Sequence, residues 1–588
     1  MNGSSAAVLS LLLAPAVAFP AAAAVKNPDT FVYATIGDPE SLDPAWAYDT
    51  SSTGIIGNVY EYLLAFDGAG IKTKDLVGRL SAKVPSKANG LISADGLTYR
   101  FPIRQGVKFH DGAPLTPDDV RYSLLRFMLL DRDGGPSSLL LEPILGVGST
   151  RPNGKLLDDA YERAAKAVTV DRDCVVVRLP RPFAPFLSIL ANWGAVVPRR
   201  WAAARGQWDG EAASWKKFNN PAHEEILPDG SADGTGPFRL ARFDRATKEI
   251  LLERNDAYWR KPARLKSVVI KVVDEFATRK LMLQAGDADS IYGPQMYFPQ
   301  VQSIPGVQAM DGLALLERSP MVFFVFKINA VGNPNIGSGK LDGEGIPNDF
   351  FSDKDVRQAF AYSIDPEAYV RDLLRGKGKA NCSLLPPGML GRQERPLKYR
   401  LAPRKAEEHF RKAWNGRLWD AGFKFTIVYN SGDAPGQAIA QMIKKNVENA
   451  SAKFHVDIRS QQWSTFLDQS KQRKIPLFVG AWGADYPDPH NFAFPLLHSN
   501  GYFPTQQGYA DPKMDKLIEE AVKTLDEGKR AELYHRIQDL YEDEIPHVEF
   551  ADGARYRAQS SAVKGYVFNP VFPDAPYGSY YYQLSKSE

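Results

Sequence analysis

The sequence predicts an α/β protein of more than one domain. Its 588 residues exceed what a single hydrophobic core organises, and at roughly 150 residues per domain two to four domains are expected. Three β-rich runs at 423–429, 454–458 and 475–482 alternate with helical periodicities at 437–447 and around 463–469, the pattern of a largely parallel sheet covered by helices. The chain is 44% hydrophobic, 11% aromatic and 24% charged, with a mean hydropathy of -0.31, which supplies packed cores and a solvated surface.

The elements follow in chain order. Phe31 to Thr35 is a short strand, followed by a turn-rich stretch from Gly37 to Pro44 and an amphipathic segment around Ile55 to Leu64. Thr98 to Ile103 and Val107 to Phe109 read as a hairpin joined across Gln105-Gly106. Thr116 caps a helix, with Pro117 in the first helical position, Asp119 three residues after the cap, and Val120, Leu124 and Phe127 on one face. Further strands are predicted at Cys174 to Val177, Val268 to Val273 and Phe323 to Ile328, and a helix from Ser352 with Asp355 three residues on. Asp511 and Pro512 open another helix, Glu527 to Tyr541 is a longer one, Val548 to Phe550 is a strand, and an aromatic tail closes the chain.

Charge and cysteine usage exclude several classes. Lys and Arg total 72 against 69 Asp and Glu, a formal charge of +3, too balanced for nucleic acid or an anionic membrane as the main partner. The two cysteines, Cys174 and Cys382, are too far apart for a CxxC zinc or redox motif, and whether they pair is left open. Ala6 to Val25 is almost wholly apolar and contains small-residue cleavage candidates, so residues 1–25 read as an export signal, although no Lys or Arg precedes Lys26. No Cys lies near the cleavage site to carry a lipid.

Catalytic and nucleotide motifs were sought along the whole chain. Ile336 to Leu341 imitates a phosphate loop, but Pro334 and Leu341 occupy positions that need glycine and a hydroxyl. Asp131, Asp133 and Glu142 fall at calcium-loop spacing, yet Pro136 replaces the required glycine. No HExxH or GxSxG occurs, and the eight histidines are scattered.

One stretch stands out. The apolar run Ile475 to Val479 ends abruptly in Gly480, Trp482, Gly483, Asp485, Pro487, Asp488, Pro489 and His490. An indole, two carboxylates and an imidazole on a proline-stiffened strand-end loop suit the gripping of a polar ligand, although the same residue types also form ordinary turns.

Five ordered blocks carry a family resemblance. These are Thr98 to Phe101 through Val120, including Gly106-Val107-Lys108-Phe109-His110-Asp111-Gly112; Gly234 to Phe238 with Leu252 to Asn255 and Tyr258-Trp259; Asp355 to Ala359 with Ser363 to Asp365; Trp482 to Phe492; and Tyr509 to Pro546. Together they resemble the peptide and nickel class, family 5, of the periplasmic solute-binding proteins that feed ABC importers, from about Thr30 to Gln559.

The resemblance implies a two-lobed periplasmic-binding-protein (Venus-flytrap) α/β fold, hinged, with an extra subdomain on lobe one. In these terms 1–25 is the signal peptide and 26–275 is lobe one, with the subdomain at about 70–195. Lobe two is 276–551, and 552–588 returns to lobe one. The resemblance also implies that Asp485 takes a peptide's α-amino group, that Trp482 forms a wall, and that backbone near Gly483 and Ala484 pairs with an extended peptide. Tyr486, Asp488 and His490 complete the expected ligand-binding set.

Some nickel-binding relatives carry Tyr-Asp-Pro-His where this chain has the longer Tyr486-Pro487-Asp488-Pro489-His490, so metal binding through His490 is the alternative, with a secreted peptidase behind it. The leading expectation is a monomeric, non-enzymatic periplasmic protein without cofactor or resident metal. It would hand a small peptide, or a similar amine-bearing solute, to a membrane permease.

Overall fold

A computed structural model describes residues 25–571 and 580–587 except 382, 525 and 550. The expected export signal thus lies outside the described residues but for Val25, as does Cys382, while Cys174 carries a free thiol.

Two sheets organise the chain. The first has seven strands in the order Val307–Leu313, Arg555–Ser560, Ser290–Ile291, Thr30–Thr35, Ser267–Val272, Glu249–Arg254 and Phe238–Asp244. Thr30–Thr35 sits at its centre because Phe31, Tyr33 and Ala34 are apolar and fully enclosed, and it pairs in parallel with strands on both sides. Ser267–Val272 buries Val268, Ile270 and Val272 in strict alternation, the period-2 signature of a strand with one covered face.

The second sheet has five strands in the order Phe454–Gln461, Phe423–Asn430, Leu477–Gly483, Glu317–Phe324 and His547–Glu549. Its first three strands are parallel, Glu317–Phe324 runs against them, and the edge strand His547–Glu549, antiparallel to Glu317–Phe324, runs with them again. The sequence pattern of strands alternating with helices is therefore realised in the parallel part only.

The chain passes from the first sheet to the second between Leu313 and Glu317 and returns between Glu549 and Arg555. This corrects the boundary placed at 275/276: residues 290–313, assigned from sequence to lobe two, supply two strands of the first sheet. Helix Phe276–Ala285 is the crossover that carries the chain from Ser267–Val272 to Ser290–Ile291.

A third sheet, Thr98–Pro102, Cys174–Arg178 and Val168–Asp171, stands apart from both and is packed by helices Pro117–Leu130 and Ala160–Ala167, with helix Ser138–Leu145 packed on those two helices. The hairpin expected across Gln105-Gly106 does not form. Thr98–Pro102 pairs instead with Cys174–Arg178, whose Val175 and Val177 are fully buried, and 107–115 closes on itself as a tight loop, with Phe109 donating to Ala113 at 2.8 Å and Leu115 to Val107 at 2.9 Å. A distant apolar partner outcompetes the local one because it buries more surface.

Local signals elsewhere are realised. Thr116 Oγ accepts from the Asp119 amide at 3.2 Å while the Asp119 carboxylate accepts from the Thr116 amide at 3.0 Å, a reciprocal capping box with Pro117 behind it. Thr116→Ala is expected to lower stability by about 1 kcal/mol, read as a shift in the denaturant midpoint, with Thr116→Ser recovering most of it. The later helix Lys354–Ala361 is capped by Asp353, one residue after the predicted start, through the amides of Asp355 and Val356. Among the close approaches, a Cβ at Gly236 would lie 2.6 Å from the Val59 carbonyl oxygen, so this position of the Gly-Thr-Gly-Pro-Phe block must lack a side chain.

The turn-rich segment after the first strand is held by buried charge. Asp43 and Arg126, each 1% exposed, form a bidentate pair at 2.5 and 2.6 Å, and Gln207 accepts a further bond from the guanidinium at 2.8 Å. Arg132 pairs with Glu40 at 3.1 Å, donates to the Trp46 carbonyl at 2.6 Å and lies 3.7 Å over the Trp46 ring. These bonds fix the path of the chain into Tyr48 and Asp49.

Candidate functional site

Aromatic and polar side chains converge on a cavity between the two sheets. It is lined by Tyr48, Asp49 and Trp193 from one side, by Trp463, Trp482 and Asp485 from the other, and by both chain crossings, where Glu317 and Arg555 lie. Strand Leu477–Gly483 delivers the loop to this place. Trp482 faces inward, 7% exposed, with its indole nitrogen donating to the Asn491 carbonyl at 2.7 Å.

Asp485 is held by neutral donors only. Its Oδ2 accepts from the Tyr48 hydroxyl and from the Asn491 amide, each at 2.9 Å, and its own backbone amide donates to Asn491 Oδ1 at 2.7 Å. Asn192 reaches its carbonyl oxygen at 3.3 Å. No hydrogen bond among the described residues reaches Oδ1, no Lys or Arg among them pairs with this carboxylate, and the residue lines the cavity.

Burial pushes its pKa up to about 7, against the smaller opposing effect of the Asn491 and Tyr48 bonds. Burial, and then the Asp485 charge, push the Tyr48 hydroxyl well above its ordinary value, so Tyr48 remains a donor across the usable pH range. The Tyr48 ring is fixed edge-on between Trp193 at 5.2 Å, Tyr502 at 5.2 Å and Trp482 at 5.7 Å.

Such a site has the chemistry to take an ammonium. A carboxylate with one open oxygen in an aromatic-lined cavity gains a charge-assisted hydrogen bond from a cation and has no internal cation to lose. A pH dependence follows, with its sign fixed. Bound ammonium depresses the Asp485 pKa below its unliganded value of about 7, so affinity is fully present above pH 7 and falls as pH drops through it, by at most about tenfold per unit. Above about pH 8 an α-amine loses its proton and affinity falls again. Calorimetric titration from pH 5 to 9 is expected to show a maximum between 7 and 8.

Of the seven residues expected to touch ligand, Trp482, Gly483, Ala484 and Asp485 line this cavity. Tyr486, Asp488 and His490 do not, which corrects the expectation. Tyr486 is buried against a neighbouring polar recess that also holds Glu142 and Asn491. Asp488 receives a bidentate Arg530 at 2.7 and 3.0 Å and accepts from the His490 amide at 2.9 Å. The His490 ring is completely buried, with Nε2 2.7 Å from Glu142 of helix Ser138–Leu145. Arg530 occupies Asp488 and Glu142 occupies His490 Nε2, so these two side chains hold the loop. Among the described residues no three His, Cys, Asp or Glu side chains group as metal ligands would.

Sequence reasoning missed Tyr48, Asp49, Asn192, Trp193, Asp433 and Arg555 in the cavity wall. Asn491 lay inside the singled-out loop, and its position six residues after Asp485 was the available signal. Arg555 is tied to Glu317 by bonds of 2.7 and 3.0 Å, which join the two crossings.

Two lobes, two crossings and a cavity between them are the architecture of a two-lobed solute-binding protein. The model of the bacterial extracellular solute-binding proteins, family 5, matches residues 84–504, and the chain belongs to that family. It is 25% identical over 566 residues to the probable D,D-dipeptide-binding periplasmic protein of Escherichia coli (strain K12), covering 95% of this chain and 96% of that one.

Two solved structures share the fold. The ABC transporter-associated periplasmic binding protein of Helicobacter pylori, in complex with the peptide STSA, matches with a TM-score of 0.71 and 21% identity, over 95% of this chain and 98% of that one. The oligopeptide-binding protein AppA of Bacillus subtilis, in complex with a nonapeptide, matches with a TM-score of 0.74 and 20% identity, over 95% and 99%. Among the described residues, no helix is long and apolar enough to cross a membrane.

Proposed function

We propose that this protein captures a peptide, or a similar amine-bearing solute, between its lobes and delivers it to an ABC importer from the periplasmic side, acting as a monomer without catalysing a reaction. The observation that carries the reading is Asp485. Its carboxylate is lined up by Tyr48 and Asn491, left open at Oδ1 and unmatched by any cation of the described protein.

Closure couples binding to delivery because a ligand touching both lobes favours the closed arrangement, and only that differential affinity can shift the equilibrium. Tyr48 and Asp485 belong to opposite lobes and already share a hydrogen bond, so an ammonium at Asp485 reinforces a contact that closure makes. The relatives named for dipeptides and oligopeptides support the choice of solute, and the transporter-associated neighbour supports the importer. The metal-chelate alternative loses its ligand, since His490 is bonded to Glu142 away from the cavity.

Mass spectrometry of the solute released from freshly purified protein tests the reading. A peptide or other primary amine recovered intact is expected. Recovery of a metal chelate without an amine, or cleavage of added peptides with turnover, overturns it.

A further inference from the structure

The cavity wall is acidic beyond what one amine requires. Four carboxylates line it, Asp49, Glu317, Asp433 and Asp485, and its one cation among the described lining residues, Arg555, is paired with Glu317. Asp49, Asp433 and Asp485 enter no ion pair among the described residues.

Asp49 is the most constrained of the three. It is 6% exposed, and its Oδ1 caps helix Thr50–Val59 through the Ser52 amide at 3.0 Å and accepts from the Trp463 indole at 3.3 Å. Its Oδ2 is buried without any hydrogen-bond partner. The cap explains one oxygen and would be served equally by Asn or Ser. A buried carboxylate oxygen with nothing to accept from is costly unless a donor arrives from elsewhere.

The cations nearby are committed, since Arg132 and Lys471 both pair with Glu40. That carboxylate lies close enough to Asp49 to raise its pKa to about 6, after the larger effect of burial. Beside Asp49 stands Trp463, also lining the cavity and stacked on Phe466 at 5.7 Å, a π-face of the kind that attracts cations.

Resting on the reading of Asp485 as the amine site, we propose that the solute carries a second cationic group, an ammonium or guanidinium, and that Asp49 with Trp463 receives it. The substrate class is thereby narrowed to peptide-like solutes with a basic side chain. Tyr48 and Asp49 are consecutive, the Tyr48 hydroxyl bonds Asp485, and both carboxylates line the same cavity, so one solute can face both anionic positions.

The experiment is isothermal calorimetry with four dipeptides, Lys-Ala, Ala-Lys, norleucine-Ala and Ala-norleucine, on the wild type, Asp49→Asn and Asp49→Ser. Both substitutions keep the helix cap, so folding is preserved and is checked by the thermal midpoint. At least one lysine peptide is expected to bind the wild type roughly tenfold or more tightly than its norleucine counterpart, and that ratio to collapse toward one in both variants. A wild-type ratio of one, with norleucine peptides bound, overturns the second cation site and leaves the amine reading standing. A ratio unchanged by both variants removes Asp49 from the role. Failure of all four peptides to bind overturns both readings.

Discussion

Asp485→Ala is expected to weaken binding of the natural solute by about 2–5 kcal/mol, or roughly 30-fold to several thousandfold. The range is wide because truncation removes the charge partner and also frees Tyr48 and Asn491, the two donors now satisfied by Oδ2. Asp485→Asn separates these effects. It keeps an oxygen for Tyr48 and Asn491 but loses the charge and puts an NH2 donor in place of the open acceptor, so its penalty is expected to fall below that of alanine while still exceeding about tenfold. It also abolishes the loss of affinity below pH 7, since the group that titrates there at about 7 is gone. Calorimetry at pH 7.5 and pH 6 reads both. Wild-type affinity in the alanine variant would remove Asp485 from the site.

The second large effect is expected in the fold. Arg126→Met leaves Asp43 buried beside the Ala45 and Leu227 amides with no cation, and breaking a buried pair in this way costs about 3–5 kcal/mol. The sign with pH follows from Asp43. Burial tends to raise its pKa, but the Arg126 charge and bonds outweigh burial and hold it below the ordinary range. In the wild type the pair therefore contributes stability above the unfolded carboxylate value of about 4 and loses it as pH falls through the depressed folded value.

Without Arg126 burial prevails, the orphaned carboxylate takes up a proton, and the deficit shrinks on acidification. Adding Asp43→Asn recovers part of the loss at neutral pH, because the amide still accepts from one of the two backbone donors. Denaturant unfolding followed at pH 7.5 and pH 4.5 tests all three, with the midpoint compared rather than a single free energy, since two lobes need not unfold together. Ligand affinity is expected to fall in the same variant, because this pair sets the path of the chain into Tyr48 and Asp49.

What the sequence determined by itself was local or periodic. The Thr116-Pro117-Asp119 cap, the alternation of Val268, Ile270 and Val272, and the strand that ends at Trp482 and Asp485 are properties of a few consecutive residues, and short-range sterics and hydrogen bonding settle such features before any tertiary contact forms. The ordered blocks extended this to the family and hence to two lobes.

What only the tertiary structure decided was pairing. Thr98–Pro102 finds Cys174–Arg178 rather than its neighbour, and the chain changes sheets at 313–317 rather than at 275. His490 turns to Glu142, 348 residues away, while Tyr48 reaches Asp485 across 437. Such partners leave no periodic trace, because a buried polar group is satisfied by whichever element the packing brings against it. The loop from Val479 to Phe494 was visible as a place of binding; which of its side chains face the solute, and that Asp49 stands opposite with an oxygen unmatched, depended on the two lobes meeting.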